Sequence, residues 1–271
     1  MQTNAAAVKK KKPARKMVHK PYQKGTPTGG KLKRRALKVF GLMVAIALIY
    51  LVVGSVLTFG NAFLRCAVNV LLLLAGMMLL YSAGLQEGDS DVAFSEIVYQ
   101  RIQSGKKADE EDIRRCYHPL KGLVIALLGI SPLLLIAIVF AFLARKQVYV
   151  LQTLPSWVGA YENVDGIGQA LSYYSRPSSL QAVDVLRIIV RVFTLPYINI
   201  VTTDNTTAMY VIDKLSPLVI LLPALFYWVG YVRGPLSRAL VHGSIASNNR
   251  RRSRMAKRRQ RERQQKNRQI V

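Results

Sequence analysis

Three long stretches of the chain are almost free of charged side chains. Arg65 is the single charge in the first, and the other two contain none; they cover residues 39–86, 122–144 and 215–232. A helix crosses the roughly 30 Å hydrocarbon layer of a bilayer with about 20 apolar residues, so the first stretch is long enough for two helices. The pattern therefore predicts an all-α integral membrane protein with four transmembrane helices, at residues 36–59, 61–84, 120–144 and 216–232.

The first two predicted spans are separated by one short break. Gly60-Asn61 is a turn signal in the middle of the first uncharged stretch. We therefore expect a tight transmembrane hairpin over residues 36–84. Arg65 follows the bend by about one turn, where its guanidinium can extend to the membrane surface.

A further apolar segment, residues 181–201, carries three charges. Asp184, Arg187 and Arg191 are three and four positions apart, so they share one face of a helix. Such a stripe is typical of a helix that lies in the membrane interface, and we expect an interfacial amphipathic helix near residues 181–198. A fifth span is the alternative, but it would place the two ends of the chain on opposite sides of the membrane.

Charge is concentrated at the two ends of the chain. The formal net charge is +25 over 271 residues; residues 1–38 hold 13 Lys and Arg and no acid, and residues 233–271 hold 13 with one acid, Glu262. Basic residues are retained on the cytoplasmic side during insertion. We therefore expect a multi-pass protein of the cytoplasmic (plasma) membrane, bacterial in origin, with both termini cytoplasmic. A glycosylation sequon at Asn205 leaves an endoplasmic-reticulum protein open.

The segments between the spans have different characters. Residues 85–119 are predicted to form a cytoplasmic helical loop of two short helices, the first near 94–102 and the second near 108–117. Residues 145–215 are predicted to form an outer loop rich in aromatic side chains, which suit the headgroup layer. We expect this loop to be a cap on the membrane surface, with a binding surface for a lipid, peptide or partner as the alternative.

The two basic ends, residues 1–35 and 233–271, are both predicted to be disordered cytoplasmic tails, but their chemistry differs. The first is rich in Lys, which suits diffuse attraction to anionic headgroups. The second has 11 Arg and two Lys. Arg forks onto phosphate oxygens and stacks on bases, so this tail suits RNA and is expected to become helical on contact; a tail that lies on anionic lipid is the alternative. The candidate lipid- or RNA-binding residues are Lys9, Lys10, Lys11, Lys12, Arg250, Arg251, Arg252, Arg254, Lys257, Arg258, Arg259, Arg261 and Arg263.

No pattern of catalytic or metal-binding residues is found. The acidic run 109–112 opens a predicted helix, where carboxylates fan out and no His supports them, so a divalent-metal site is disfavoured. Cys66 and Cys116 are predicted on opposite sides of the membrane and cannot form a disulfide. Pro132 and Pro223 are near the middles of the third and fourth spans, where each is expected to kink its helix. No catalytic, cofactor-binding or metal-binding residue is therefore predicted.

These patterns favour a non-enzymatic protein. We expect a scaffold or assembly factor whose basic cytoplasmic tails bind anionic lipid or RNA, including the ribosome, and which can contact other membrane proteins. The alternative is a small transporter, channel or transporter subunit that uses the kinked third and fourth helices. A lipid-active enzyme with its site at the outer loop is a third class, for which the sequence offers no catalytic residues.

Overall fold

The computed structural model describes residues 17–29, 31–56, 61–145, 161, 164–168, 182–201 and 205–269. Within these ranges the chain is all-helical and has no strands. Seven helices can be followed in the described residues: α1 (Leu32–Val56), α2 (Ala62–Gln103), α3 (Glu110–Arg115), α4 (Pro119–Leu143), α5 (Ala182–Val201), α6 (Thr206–Val232) and α7 (Gly234–Gln269).

Four helices, α1, α2, α4 and α6, are long and apolar enough to cross a membrane. The prediction of an all-α, multi-pass membrane protein is therefore confirmed. The fourth of these helices begins ten residues before the predicted span. Its first turns carry Asp213 and Lys214, which are accommodated because Asp213 pairs with Arg191 and Lys214 donates to the carbonyl of Ala141.

Helix α2 is much longer than a membrane span. Its 42 residues correspond to about 63 Å. The short helix predicted near residues 94–102 is instead the last part of α2. The reason is a single buried face that continues at helical spacing from the apolar half into the polar half: Asn69, Gly76, Leu80, Gly84, Gly88, Asp91, Val92, Ser95, Glu96 and Val98.

The two spans expected to form a tight hairpin at Gly60-Asn61 contact each other at few positions. Helix α1 packs mainly on α4 and α5, whereas α2 packs mainly on α6. Residues 57–60, which include most of the predicted bend, are outside the described residues. Asn61 caps α2, since its side chain accepts a hydrogen bond from the backbone N–H of Phe63 at 3.0 Å.

Close packing of α2 on α6 depends on two pairs of glycines, each four residues apart. A Cβ at Gly84 or Gly88 would meet a backbone carbonyl of α6, and one at Gly230 or Gly234 would meet the backbone of α2. Small residues at this spacing let two helix backbones approach closely in a membrane. This pairing holds the two helices together along the end of the bundle where α1 begins and α6 ends, which we call the basic end.

Helix α5 lies among the four long helices and contacts all of them. Val190 and Thr194 at its middle are almost fully buried. Near its start, the guanidinium of Arg187 lies 5.9 Å from the ring centre of Phe140, and near its end Asn199 donates to Asn69 at 3.4 Å. Phe140 and Asn69 are both close to the end of the bundle opposite the basic end. Helix α5 therefore enters and leaves the bundle at that same end.

Helix α5 covers the segment predicted to form an amphipathic helix near residues 181–198, and it packs on α1, α2, α4 and α6. The charged stripe is neutralised within the protein, since Arg187 pairs with Asp184 at 2.8 Å and Arg191 pairs with Asp213 at 3.1 Å. Paired charges can be placed inside a bundle, whereas the sequence pattern alone indicates only that they share one face.

Part of the amino-terminal arm, predicted to be disordered over residues 1–35, is held in place at the basic end. The backbone N–H of Val18 donates to Ala239, that of Gln23 to Ser95, and that of Gly25 to Tyr117, at 3.2, 3.2 and 2.9 Å. Residues 17–29, which we call the strap, are therefore hydrogen-bonded to three different parts of the protein. Helix α1 then begins at Leu32.

The carboxy-terminal arm also differs from the expected disorder, because it forms the 36-residue helix α7. Arg, Lys, Gln and Ala favour helix, and no proline follows Pro235. The first part of α7 packs on α2 and buries Ala239. From Ser247 to Gln260 every residue is exposed. Helix α7 therefore consists of a docked part and an exposed part, the arginine helix (residues 247–269).

Candidate functional site: a buried charge cluster and an exposed arginine helix

Each of the four long helices contributes one side chain to a buried charge cluster at the basic end. Both terminal nitrogens of Arg35 donate to the carboxylate of Asp91 at 2.7 Å, and the hydroxyl of Tyr231 donates to the same carboxylate at 2.7 Å. The ammonium of Lys121 lies 3.9 Å from it. Asp91 and Lys121 are almost fully inaccessible to solvent. These four residues join α1, α2, α4 and α6.

Lys121 also holds the connection between α3 and α4. Its ammonium donates to the backbone carbonyls of Arg114, Arg115 and Cys116 at 3.0, 2.9 and 3.1 Å. All three N–H donors of the ammonium are thereby used. The carbonyls at the carboxyl end of a helix are orphan acceptors with partial negative charge, so a buried cation is stabilised there.

Aromatic packing closes the cluster on one side. The ring of Tyr117 stacks on that of Tyr231 with centres 5.4 Å apart, and Tyr22 of the strap meets Tyr117 edge-on at 5.9 Å. Burial raises the pKa of Tyr117 to about 12. Burial also raises the pKa of the neighbouring Cys116 thiol, so that this thiol stays protonated at neutral pH and is a poor nucleophile.

The geometry of the charge cluster points to a structural role. Arg35, Asp91 and Lys121 are directed at one another and at backbone carbonyls, so their charges are satisfied within the protein. A cluster of this kind fixes the relative positions of the helices that supply it. No group of three or more His, Cys, Asp or Glu side chains that could hold a metal ion is found among the described residues.

The acidic run at residues 109–112 is placed beside basic side chains. Asp112 pairs with Arg101 at 3.4 Å, and Glu110 pairs with Arg114 at 3.3 Å. The first contact connects α3 to the end of α2, and the second lies within α3. The acidic run is therefore at the amino end of α3, where negative charge stabilises a helix.

A second polar contact fixes the docked part of α7 on α2. Nε2 of His242 lies 2.9 Å from both carboxylate oxygens of Glu96, and Nε of Arg238 lies 3.6 Å from one of them. Glu96 is only 7% exposed. The direction of the arginine helix is thus set by contacts inside the protein.

The candidate anion-binding residues of the carboxy-terminal arm all fall on the arginine helix. The seven whose side chains the structure describes are exposed and lie on every side of the helix, because successive residues are about 100° apart: Arg250, Arg251, Arg252, Arg254, Lys257, Arg258 and Arg259. Arg261 and Arg263 continue the same helix. The amino-terminal candidates Lys9, Lys10, Lys11 and Lys12 are outside the described residues.

Like charges repeat at helical spacing along the arginine helix. Arg250 and Arg254, Arg254 and Arg258, and Arg259 and Arg263 are each four residues apart. Such pairs destabilise an isolated helix. A polyanion that neutralises them therefore stabilises the helical form, which links binding to helix stability.

The two prolines expected to kink the spans lie inside continuous helices and are not brought together. Pro132 lines an open groove between α1 and α4, with Lys33 at its rim. Pro223 lines a small enclosed cavity between α1, α2, α5 and α6. This cavity measures about 20 Å³, enough for a single water molecule.

Sequence reasoning missed the charge cluster and the glycine pairs. From the sequence, Ser90 or Asp91 could cap the short helix predicted near residues 94–102, and Arg35, Lys121 and Tyr231 were not singled out. A signal was present, because Gly84, Gly88 and Asp91 continue the helical spacing of the buried face of α2 beyond the apolar segment. No family model, curated protein or solved structure matches this chain.

Proposed function

We propose that the chain is a non-enzymatic membrane scaffold that presents an arginine helix to structured RNA, such as ribosomal RNA, at the cytoplasmic face of a bacterial cell membrane. One observation carries this proposal. Helix α7 is docked on α2 by its first part, and its remaining part exposes basic side chains in every direction. The protein thereby combines a membrane anchor with an exposed, positively charged helix whose starting point is fixed on the bundle.

The charge distribution favours RNA over a lipid surface as the partner. A bilayer contacts one side of a helix, and a helix that lies on it inserts an apolar face. Met255 and Ala256 are the only apolar residues between Arg250 and Arg268. The grooves of folded RNA present phosphates on more than one side, which matches a helix that is basic all round. The amino-terminal lysines supply additional attraction to anionic headgroups.

The position of the two arms supports a common side of the membrane. The strap contacts Ala239 of α7 as well as Ser95 and Tyr117, so both arms are at the basic end. Positive charge on one side of a multi-pass protein is the pattern that cytoplasmic retention produces. We therefore place the basic end in the cytoplasm.

The test replaces the arginines of residues 250–268 by lysine in the full chain, reconstituted in nanodiscs. The charge is retained, but the planar fork and the stacking surface are lost. We expect weaker RNA binding and weaker co-sedimentation with ribosomes, while binding to anionic lipid vesicles stays the same. A filter-binding or sedimentation assay at several salt concentrations measures the effect. Because the charge is kept, the affinity should fall while the salt slope stays nearly the same.

The matched control is the double replacement Lys257→Arg with Lys266→Arg, which also keeps the charge but adds forks. It should bind RNA at least as well as the natural chain. Equal behaviour of the all-lysine and natural arms toward RNA would overturn the proposal and reduce the arm to an electrostatic lipid anchor.

The alternative of a transporter makes a different prediction. Solute flux in proteoliposomes that is lost on Pro132→Ala or Pro223→Ala would replace the scaffold proposal. The enclosed cavity beside Pro223, at about 20 Å³, is far below the roughly 300 Å³ of common small-molecule sites.

A further inference from the structure

A groove opens sideways between α1 and α2 at the basic end. The two helices contact each other little, and Tyr227 of α6 forms the back of the space between them. The groove measures about 400 Å³. That volume is within the range of sites for small molecules and lipid headgroups.

The walls of the groove change from polar to apolar with depth. Near the basic end they carry Arg35, Lys38 and Glu87, and about one turn deeper than Lys38 and Glu87 they carry Leu42 and Ala83. A phospholipid in the adjacent leaflet has the same gradient, with a polar headgroup toward the water and an apolar chain toward the bilayer centre. The groove is therefore oriented as a lipid would be.

The rim of the groove carries charges of both signs, and their ion-pair contacts differ in length. Asp91 binds Arg35 through two short hydrogen bonds of 2.7 Å. Glu87 makes only longer contacts, 3.3 Å to Arg35 and 3.5 Å to Lys38. The side chain of Lys38 is 66% exposed and that of Glu87 is 25% exposed. The rim thus offers one accessible cation beside one accessible carboxylate.

We propose that this groove binds a phospholipid whose headgroup is phosphoethanolamine. The phosphate accepts hydrogen bonds from Lys38, and the primary ammonium donates to Glu87. The glycerol and the start of one acyl chain lie against Leu42 and Ala83. A choline headgroup has no N–H to donate, and a glycerol headgroup has no cation for Glu87, so both bind less well.

This inference is independent of RNA binding, because none of its residues is on the arginine helix. The experiment uses the full-length protein in detergent and native mass spectrometry. Phosphatidylethanolamine, phosphatidylcholine and phosphatidylglycerol with identical acyl chains are titrated separately. We expect the ethanolamine lipid to be retained about tenfold more tightly than either of the others, the effect of one charge-assisted hydrogen bond.

Two variants separate the two halves of the headgroup. Glu87→Gln should lower the affinity for the ethanolamine lipid to that for the choline lipid, while Arg35 stays paired with Asp91. Lys38→Gln should weaken all three lipids by about tenfold, because all contain the phosphate. The exposed side chain of Lys38 makes this second variant safe for folding.

Lys33→Gln is the matched control. It removes the same charge from the same helix, but Lys33 lines the groove between α1 and α4 instead. It should leave lipid binding unchanged. Equal retention of choline and ethanolamine lipids by the natural protein, tighter retention of the glycerol lipid, or the same loss from Lys33→Gln as from Lys38→Gln would overturn the proposal.

Discussion

At the scale of single residues, the buried charges are the least expected feature of the molecule. An ammonium or carboxylate inside a protein is costly unless it is paired and its hydrogen bonds are made. Lys121 meets this condition through three carbonyls, and Asp91 meets it through Arg35 and Tyr231. These buried charges are tolerated because protein groups in fixed positions replace the water that each charge loses.

The first prediction concerns Lys121→Met, which keeps the length of the side chain but removes the cation. Three carbonyls at the end of α3 lose their donor, and the nearby carboxylate of Asp91 loses a cation. We expect the free energy of unfolding to fall by about 3 kcal/mol. Titration with SDS, followed by tryptophan fluorescence, measures it. Lys33→Met, at an exposed position of α1, is the control and should change the free energy of unfolding little. An equal effect of the two variants would contradict the role given to Lys121.

The sequence could not reveal these residues as a group. Asp91 is 56 positions from Arg35 and 140 positions from Tyr231, and only the packing of the four helices brings these residues and Lys121 together. Composition showed charges near the predicted membrane boundaries, where charges are common. Which of them turn inward depends on the rotation of each helix, and this rotation is set by the glycine contacts of α2 with α6.

At the scale of helices, the sequence pattern predicted where the helices lie in the chain better than it predicted which helices pack together. The four spans and the helix near residues 181–198 follow directly from apolar length and charge spacing. The continuation of α2 past Gly84 and Gly88 was missed, because the second span was ended where the uncharged stretch of the sequence ends, just before Glu87. In the structure these glycines are positions of close approach, a property that requires the opposing backbone.

The second prediction compares two glycines in helices. Gly88→Ala adds a methyl group against the backbone of Tyr231 and should displace α6, lowering the free energy of unfolding by about 1–3 kcal/mol. Gly41→Ala in α1 meets nothing within 4 Å and should raise it by up to about 1 kcal/mol through helix propensity alone. SDS titration of the two variants measures both effects. Opposite signs support the close contact of α2 with α6; a shared sign would argue against it.

At the scale of the whole molecule, the two ends of the bundle are built from different elements. The strap, the charge cluster and the docked part of α7 form the basic end, and α5 occupies the opposite end. Four membrane crossings fit this arrangement, because α5 begins and finishes on one side. An interfacial helix and this wedge between helices share the same sequence pattern, and only the partners Asp213, Asn69 and Phe140 distinguish them.

The third prediction tests the sides of the membrane. In a background with Cys66→Ser and Cys116→Ala, single cysteines are introduced as Gln260→Cys and Asp165→Cys. A membrane-impermeant thiol reagent added to intact cells should label position 165 and leave position 260 unlabelled until the membrane is opened. Both positions are exposed in the structure. Labelling of both positions in intact cells would mean that α5 crosses the membrane as well as α6. Labelling of position 260 alone would mean that the whole protein has the opposite orientation.

The composition of the charge cluster also has a consequence for biosynthesis. Its members emerge from the ribosome in the order Arg35, Asp91, Lys121 and Tyr231, and the last follows Asp91 by 140 residues. A nascent chain that stops before α6 lacks the hydroxyl that binds Asp91 and the glycine-lined face that covers α2. Truncated products are therefore left open at the basic end, where cellular proteases act on incompletely closed proteins. We therefore expect a chain that ends before α6 to be degraded faster than the full chain.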